Sequence, residues 1–154
     1  MILPMRNAAR IATLAFCFAG APLACREKAD PVRRTLDRLV QAAEKRDAQT
    51  IAEHLAGDFQ AADGSGRADA QATLLRYLAA YEDLNVRLSD ITIERGESAA
   101  RVTFRADLAG KPRQIGGLEG YLPRSSAYRF ELRLVPEGER WNIAWASWEP
   151  AEAR

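Results

Sequence analysis

The sequence predicts an α+β domain, with three helices followed by a mainly antiparallel sheet that the helices cover on one face. Three observations carry this. Apolar residues recur at helical spacing from Asp30 to Tyr81, and they alternate with polar residues from Leu84 to Trp145. Clusters of Gly, Pro, Asp and Glu then divide the alternating half into hairpins. Helices and strands segregated along the chain mean α+β, and a sheet with one apolar and one polar face has its apolar face covered.

The helices come first. Asp30-Pro31 is a start signal, an N-cap followed by Pro at the first helical position. Val32, Leu36, Leu39, Val40 and Ala43 then form one apolar stripe, with Arg33, Arg34, Asp37, Arg38, Glu44, Lys45 and Arg46 on the other faces. Asp47 is placed to cap a short second helix that turns Ile51 and Leu55 inward, and Gly57 is expected to end it. Phe59 opens a short extended piece, and Asp63-Gly64-Ser65-Gly66 is a turn. A third helix is expected from near Asp69, with Leu74, Tyr77, Leu78 and Tyr81 on one side.

From Leu84 the period is two. Leu84, Val86 and Leu88 share a face, and Ile91 and Ile93 continue in the opposite phase, so a β-bulge is expected near Ser89-Asp90. Arg95-Gly96-Glu97-Ser98 turns the chain into a strand with Val102, Phe104, Ala106 and Leu108 inward. Ala109–Ser126 is rich in Gly and Pro and long for a hairpin connection. Tyr128, Phe130, Leu132 and Leu134 line the next strand. After the turn Pro136-Glu137-Gly138-Glu139, Trp141, Ile143 and Trp145 take the inward phase of the last. Unbroken alternation puts Trp148 outward. The other sheet face carries Arg101, Arg105, Arg129 and Arg133 with Asp107 and Glu131. Cross-strand ion pairing on a solvated face accounts for these, with a docking or dimer face as the alternative.

A chain of 154 residues fits one domain. With 22 Lys+Arg against 21 Asp+Glu, the balance implies no nucleic-acid partner. The first segment differs from the rest. Arg6 and Arg10 precede Ile11–Ala24, a run of 14 residues without a charge. A membrane span needs roughly 20 apolar residues, so a secretory signal peptide over residues 1–24 is the expectation, with Met5 an equally complete start. The junction Pro22-Leu23-Ala24-Cys25 resembles the lipobox of bacterial lipoproteins; Ala24 and Cys25 match, and Pro22 departs from the usual Leu-type residue. The resemblance implies acylation of Cys25, a tether over residues 25–29 and a domain over residues 30–150 with a tail to 154. Arg26 in place of Asp implies the periplasmic face of the outer membrane. Plain secretion after Ala24 is the alternative. Cys17 lies in the removed segment, so the mature domain has no free thiol, as suits an oxidising compartment.

The opening helix DPVRRTLDRLVQAAEKRD, the segment Leu55-Ala56-Gly57-Asp58-Phe59, the strand LNVRLSDITIE and the closing hairpin YRFELRLVPEGERWNIAWASWEP together resemble the nuclear transport factor 2-like superfamily, also called SnoaL-like or cystatin-like. The resemblance covers about Asp30 to Pro150. It implies a curved sheet wrapped around a helix, a cone with a pocket at its open end. Members include dehydratases and isomerases as well as proteins that only bind or dimerise, so the fold leaves function open.

Enzymes of this kind place an acid–base pair inside the cone, and general acid–base catalysis needs a titratable group within reach of the substrate proton. The inward stripe holds no carboxylate and no His. The expectation is therefore a non-catalytic binding module, tethered in the envelope, for a small apolar ligand. Tyr77, Tyr81, Phe104, Tyr128, Phe130, Trp141 and Trp145 line its pocket, with the Gly-rich connection at the mouth. The alternatives are an isomerase or dehydratase using His54 with Asp58 one helical turn on, and a structural homodimer through the outward sheet face. As the only His, His54 is read first as a half-exposed residue at a helix end. One His and no Cys in the mature domain make no zinc cluster, and Gly116-Gly117 opens no helix, so neither a metal nor another cofactor is expected.

Overall fold

The structure is a computed structural model that describes residues 30–113 and 124–152. The signal segment, Cys25 and the central part of the Gly-rich connection lie outside the described residues. Helix α1 spans Pro31–Glu44, and the Asp30 carboxylate accepts from the Val32 N–H at 2.8 Å, as an N-cap does. It ends in a Schellman turn, in which the Arg46 N–H donates to the Ala43 carbonyl at 2.9 Å and the Asp47 N–H to Ala42 at 2.8 Å. The residue at the left-handed position is Arg46, with φ 58°, where glycine is usual. Helix α2 covers Ala48–Glu53, capped by Asp47 through the Thr50 N–H.

Helix α2 stops earlier than expected. His54 is its C-cap, and the His54 carbonyl accepts from the Ile143 N–H at 2.7 Å, which hands the chain to the sheet. Strand β1 therefore already runs over Leu55–Ala61, with Leu55 and Gly57 inside it. Gly57 is a strand residue because Ile143 offers a sheet partner one turn sooner. Helix α3 spans Arg67–Ala79, starting two residues before Asp69, and Tyr81 opens a strand instead of belonging to the helix. Strands β2 (Tyr81–Arg95), β3 (Ala100–Pro112), β4 (Ser125–Glu137) and β5 (Arg140–Ala151) complete the chain.

The sheet order is β1-β5-β4-β3-β2, with β1 parallel to β5 and every other pair antiparallel. The bulge in β2 is present: register shifts between Ser89 and Thr92, and Asp90 takes φ 53°. A second irregularity was not expected. In the β4–β5 ladder Leu134 pairs with Ile143, but Arg133 pairs with Trp145. The extra residue inverts the phase of β5 beyond Ile143. Trp145 thus shares the outward face with Arg133, and Ala146 and Trp148 turn inward opposite Leu132 and Phe130.

The helices lie on the inner face. Val32, Leu36, Val102 and Leu134 are fully buried at its centre, each worth about 1.5–3 kcal/mol by transfer from water. Trp141 packs against this cluster at its far end, where the Arg95 guanidinium lies 5.7 Å from its ring centroid. On the outer face Arg101 pairs with Glu131 at 2.8 Å. Arg105 departs from a solvated side chain: it is only 8% exposed, held by both oxygens of Asp107 and by the Glu152 carbonyl.

Candidate functional site

Between α1, α3 and the inner face of the sheet lies a cavity of about 470 Å³. Its floor is the alternating stripe of β2, β3 and β4: Leu88, Phe104, Ala106, Leu108, Phe130 and Leu132. Period-two alternation puts these on one face, and strand curvature keeps the helices from filling the space above them. Leu36, Leu39 and Val40 from α1 and Leu74 and Tyr77 from α3 form the roof. Phe104 and Phe130 stack with centroids 5.2 Å apart, and Trp148 tilts against Phe130 at 6.5 Å. Trp148 is 44% exposed and still lines the cavity, so it stands at the rim.

Asp63, Ser65, Thr73, Tyr77 and Tyr128 are the polar members of the lining among the described residues. The hydroxyls of Tyr77 and Ser126 lie 3.3 Å apart, and Tyr128 lines the wall beside them. Tyr81 is buried against the Tyr77 ring at 5.4 Å. Burial, reinforced by Tyr77, pushes the Tyr81 phenol up to about 12, so it stays neutral across the physiological range. Among the described residues Asp63 is the one carboxylate of the lining, and Ser65 holds it in the β1–α3 turn through both its N–H and its hydroxyl. Those hydrogen bonds lower the Asp63 carboxyl below its ordinary value and keep it ionised. The same residues bring no Lys, Arg or His to the lining.

Of the residues expected to line a pocket, the structure brings together Tyr77, Phe104, Tyr128 and Phe130. Three do not line it. Tyr81 stands behind Tyr77, Trp141 lies at the opposite end of the core, and Trp145 points out because of the bulge in β5. The missed residue is Trp148. Its signal was Ser147, a polar residue that unbroken alternation would have placed inside.

His54 and Asp58 are also separated. Expected one helical turn apart, they are joined by strand β1, and four residues of strand advance the chain roughly 13 Å. His54 is 6% exposed, not half-exposed, with Nδ1 2.9 Å from the Thr50 carbonyl, so Nδ1 carries the proton. Asp58 is exposed, and neither residue lines the cavity. Among the described residues no three His, Cys, Asp or Glu are grouped as metal ligands, and no helix is long and apolar enough to cross a membrane.

No family model matches the sequence, and no curated protein matches it either. Solved structures do match. A Streptomyces avermitilis protein provisionally named a dehydratase of the NTF2-like family superposes with a TM-score of 0.67 at 15% identity, over 80% of this chain and 96% of that one. An NTF2-like superfamily protein from Salmonella enterica gives 0.64 at 13% identity, over 79% and 89%. Bd1075 of Bdellovibrio bacteriovorus gives 0.64 at 16% identity, over 78% of this chain, which spans only 40% of Bd1075. The helices lying on the inner face of the sheet, its strand order and these superpositions identify the fold as that of the nuclear transport factor 2-like superfamily.

Proposed function

We propose that the chain is a binding module whose cavity takes a small, uncharged, mainly apolar ligand with one hydrogen-bonding end. The observation that carries this is the lining: about 470 Å³ walled mainly by aliphatic and aromatic side chains, free of cationic groups among the described residues, with Tyr77 and Tyr128 in one wall and the Tyr77 hydroxyl 3.3 Å from that of Ser126. A ligand carboxylate in that space would lose its hydration with no cation to compensate, which is costly; a hydroxyl or carbonyl needs only one partner such as the Tyr77 hydroxyl. The separation of His54 from Asp58, and of both from the cavity, supports binding over acid–base chemistry.

The test is displacement of an environment-sensitive apolar dye by a long-chain alcohol, its carboxylate and its alkane. The alcohol is expected to compete best. Competition led by the carboxylate overturns the uncharged class, and no dye binding at all overturns the cavity as a ligand site.

The same proposal places the module in the envelope through acylation of Cys25, supported by the charge-free run Ile11–Ala24 and the Ala24-Cys25 junction. Cells fed a clickable fatty acid should label the wild type and not Cys25→Ser. Equal labelling of both, or of neither, sinks the anchor.

A further inference from the structure

A second concavity, of about 270 Å³, opens at the C-terminal ends of α1 and α3. Its rim is cationic and its wall apolar: Lys45, Arg46 and Arg113 surround Leu75, Leu78 and Ala79. Among the described residues no carboxylate lines it. The guanidiniums of Arg46 and Arg113 both donate to the Tyr81 carbonyl, through Nη1 at 3.1 Å and Nε at 3.3 Å. Those nitrogens therefore lie within 6.4 Å of each other, the sum of the two bonds. Each guanidinium has five N–H donors and spends one on that oxygen, so each has donors left for an anion.

The two described acids that feel these cations, Glu82 and Asp47, are occupied. Glu82 feels both arginines but is bonded to Lys111 at 2.6 Å, and Asp47 caps α2 through Thr50. Cations at helix C-termini complement the helix dipole, which accounts for Lys45 alone. It does not account for Arg46, which occupies a left-handed position that glycine fills without strain. Nor does it account for Leu75, which is 53% exposed in the same wall.

We propose that this concavity binds a phosphate ester, with the phosphoryl group between Arg46, Arg113 and Lys45 and the organic part against Leu75 and Ala79. Planar guanidiniums match phosphate oxygens bidentately, and a wall with an exposed Leu favours an ester over inorganic phosphate. A soluble phosphate ester and a phospholipid headgroup both present an anionic ester phosphoryl group on an apolar body. Among the described residues the site shares only Leu78 with the lining of the apolar cavity, so it stands independently of the binding module proposed above.

The test uses the purified protein and phenyl phosphate, by calorimetry, with inorganic phosphate and phenol as controls. Phenyl phosphate is expected to bind more tightly than either. Arg46→Gly is expected to weaken it about tenfold or more while leaving the urea midpoint equal to or above that of the wild type, because glycine relieves the backbone at φ 58°. Vesicles of phosphatidylglycerol assign the source: binding that phenyl phosphate competes away points to a headgroup, and phenyl phosphate binding without vesicle binding points to a soluble ester. Absence of phenyl phosphate binding overturns the site. So do phenol binding as tight as phenyl phosphate binding, or affinity unchanged by Arg46→Gly.

Discussion

Leu134→Ala and Leu108→Ala remove the same atoms from neighbouring strands, yet the structure assigns them different costs. Leu134 is fully buried in closed core, packed under α1. Truncation there loses the transfer energy of three carbons, about 2.4 kcal/mol, and leaves a new void, giving about 3–5 kcal/mol in all. Leu108 is half-buried and already lines the cavity of about 470 Å³, so its truncation only widens existing space. Without the void contribution and with partial burial, the cost falls to about 1 kcal/mol. Urea unfolding followed by tryptophan fluorescence reads both. With a slope of about 2 kcal/mol per molar urea, Leu134→Ala lowers the midpoint by about 2 M and Leu108→Ala by about 0.5 M. Equal shifts, with slopes unchanged, would mean that the space above Leu108 is packed in solution. The reasoning that gives the cavity a ligand would then fail.

Further outcomes follow from the same geometry. Trp148→Ala should weaken apolar dye binding roughly tenfold, whereas Trp145→Ala, on the outward face, should leave it unchanged in the same titration. The folded state holds the Tyr81 phenol protonated up to about 12 while the unfolded chain releases the proton near the ordinary phenol value of 10.0. Stability is therefore full below pH 10 and falls as pH rises toward 12. Tyr81→Phe should flatten that alkaline limb, read as the urea midpoint against pH. His54→Gln should keep both the fold and dye affinity, since an amide N–H can replace the Nδ1–H donated to Thr50 and the side chain lies outside the cavity. Lost affinity in a folded His54→Gln protein would restore a role for that residue.

What the sequence made legible was periodicity. The stripes of α1 and β2–β4, both helix caps at Asp30 and Asp47, and the bulge at Asp90 are local patterns, and they stand in the structure as read. What escaped was set by distant partners. Nothing local to Gly57 shows that Ile143 will pair with the segment before it and start a strand. The bulge in β5 sits in Ile143-Ala144-Trp145, where neither phase is marked by a charge, so the inversion that exchanged Trp145 for Trp148 left only Ser147 as a trace. Arg105 had a similar fate: a strand arginine reads as solvated until Asp107 and the Glu152 carbonyl, 47 positions on, close over it.

The parallel pairing of β1 with β5 has a consequence for the order in which the molecule can assemble. Leu55 pairs with Ile143, so the contact that closes the sheet spans 88 positions (143 − 55). The β2–β3 hairpin and α1 need only near neighbours and can form as soon as they are made. β1 has no other strand to join and must wait for Arg140–Ala151, the last strand in the chain. Until then the two edges that β5 will cover, on β1 and on β4, stand open with unpaired N–H and C=O groups. A chain threaded from its N-terminus through a narrow channel would thus stay incomplete until Arg140–Ala151 had emerged. A truncation before Arg140 would leave both edges exposed for good and favour aggregation over a smaller native fold.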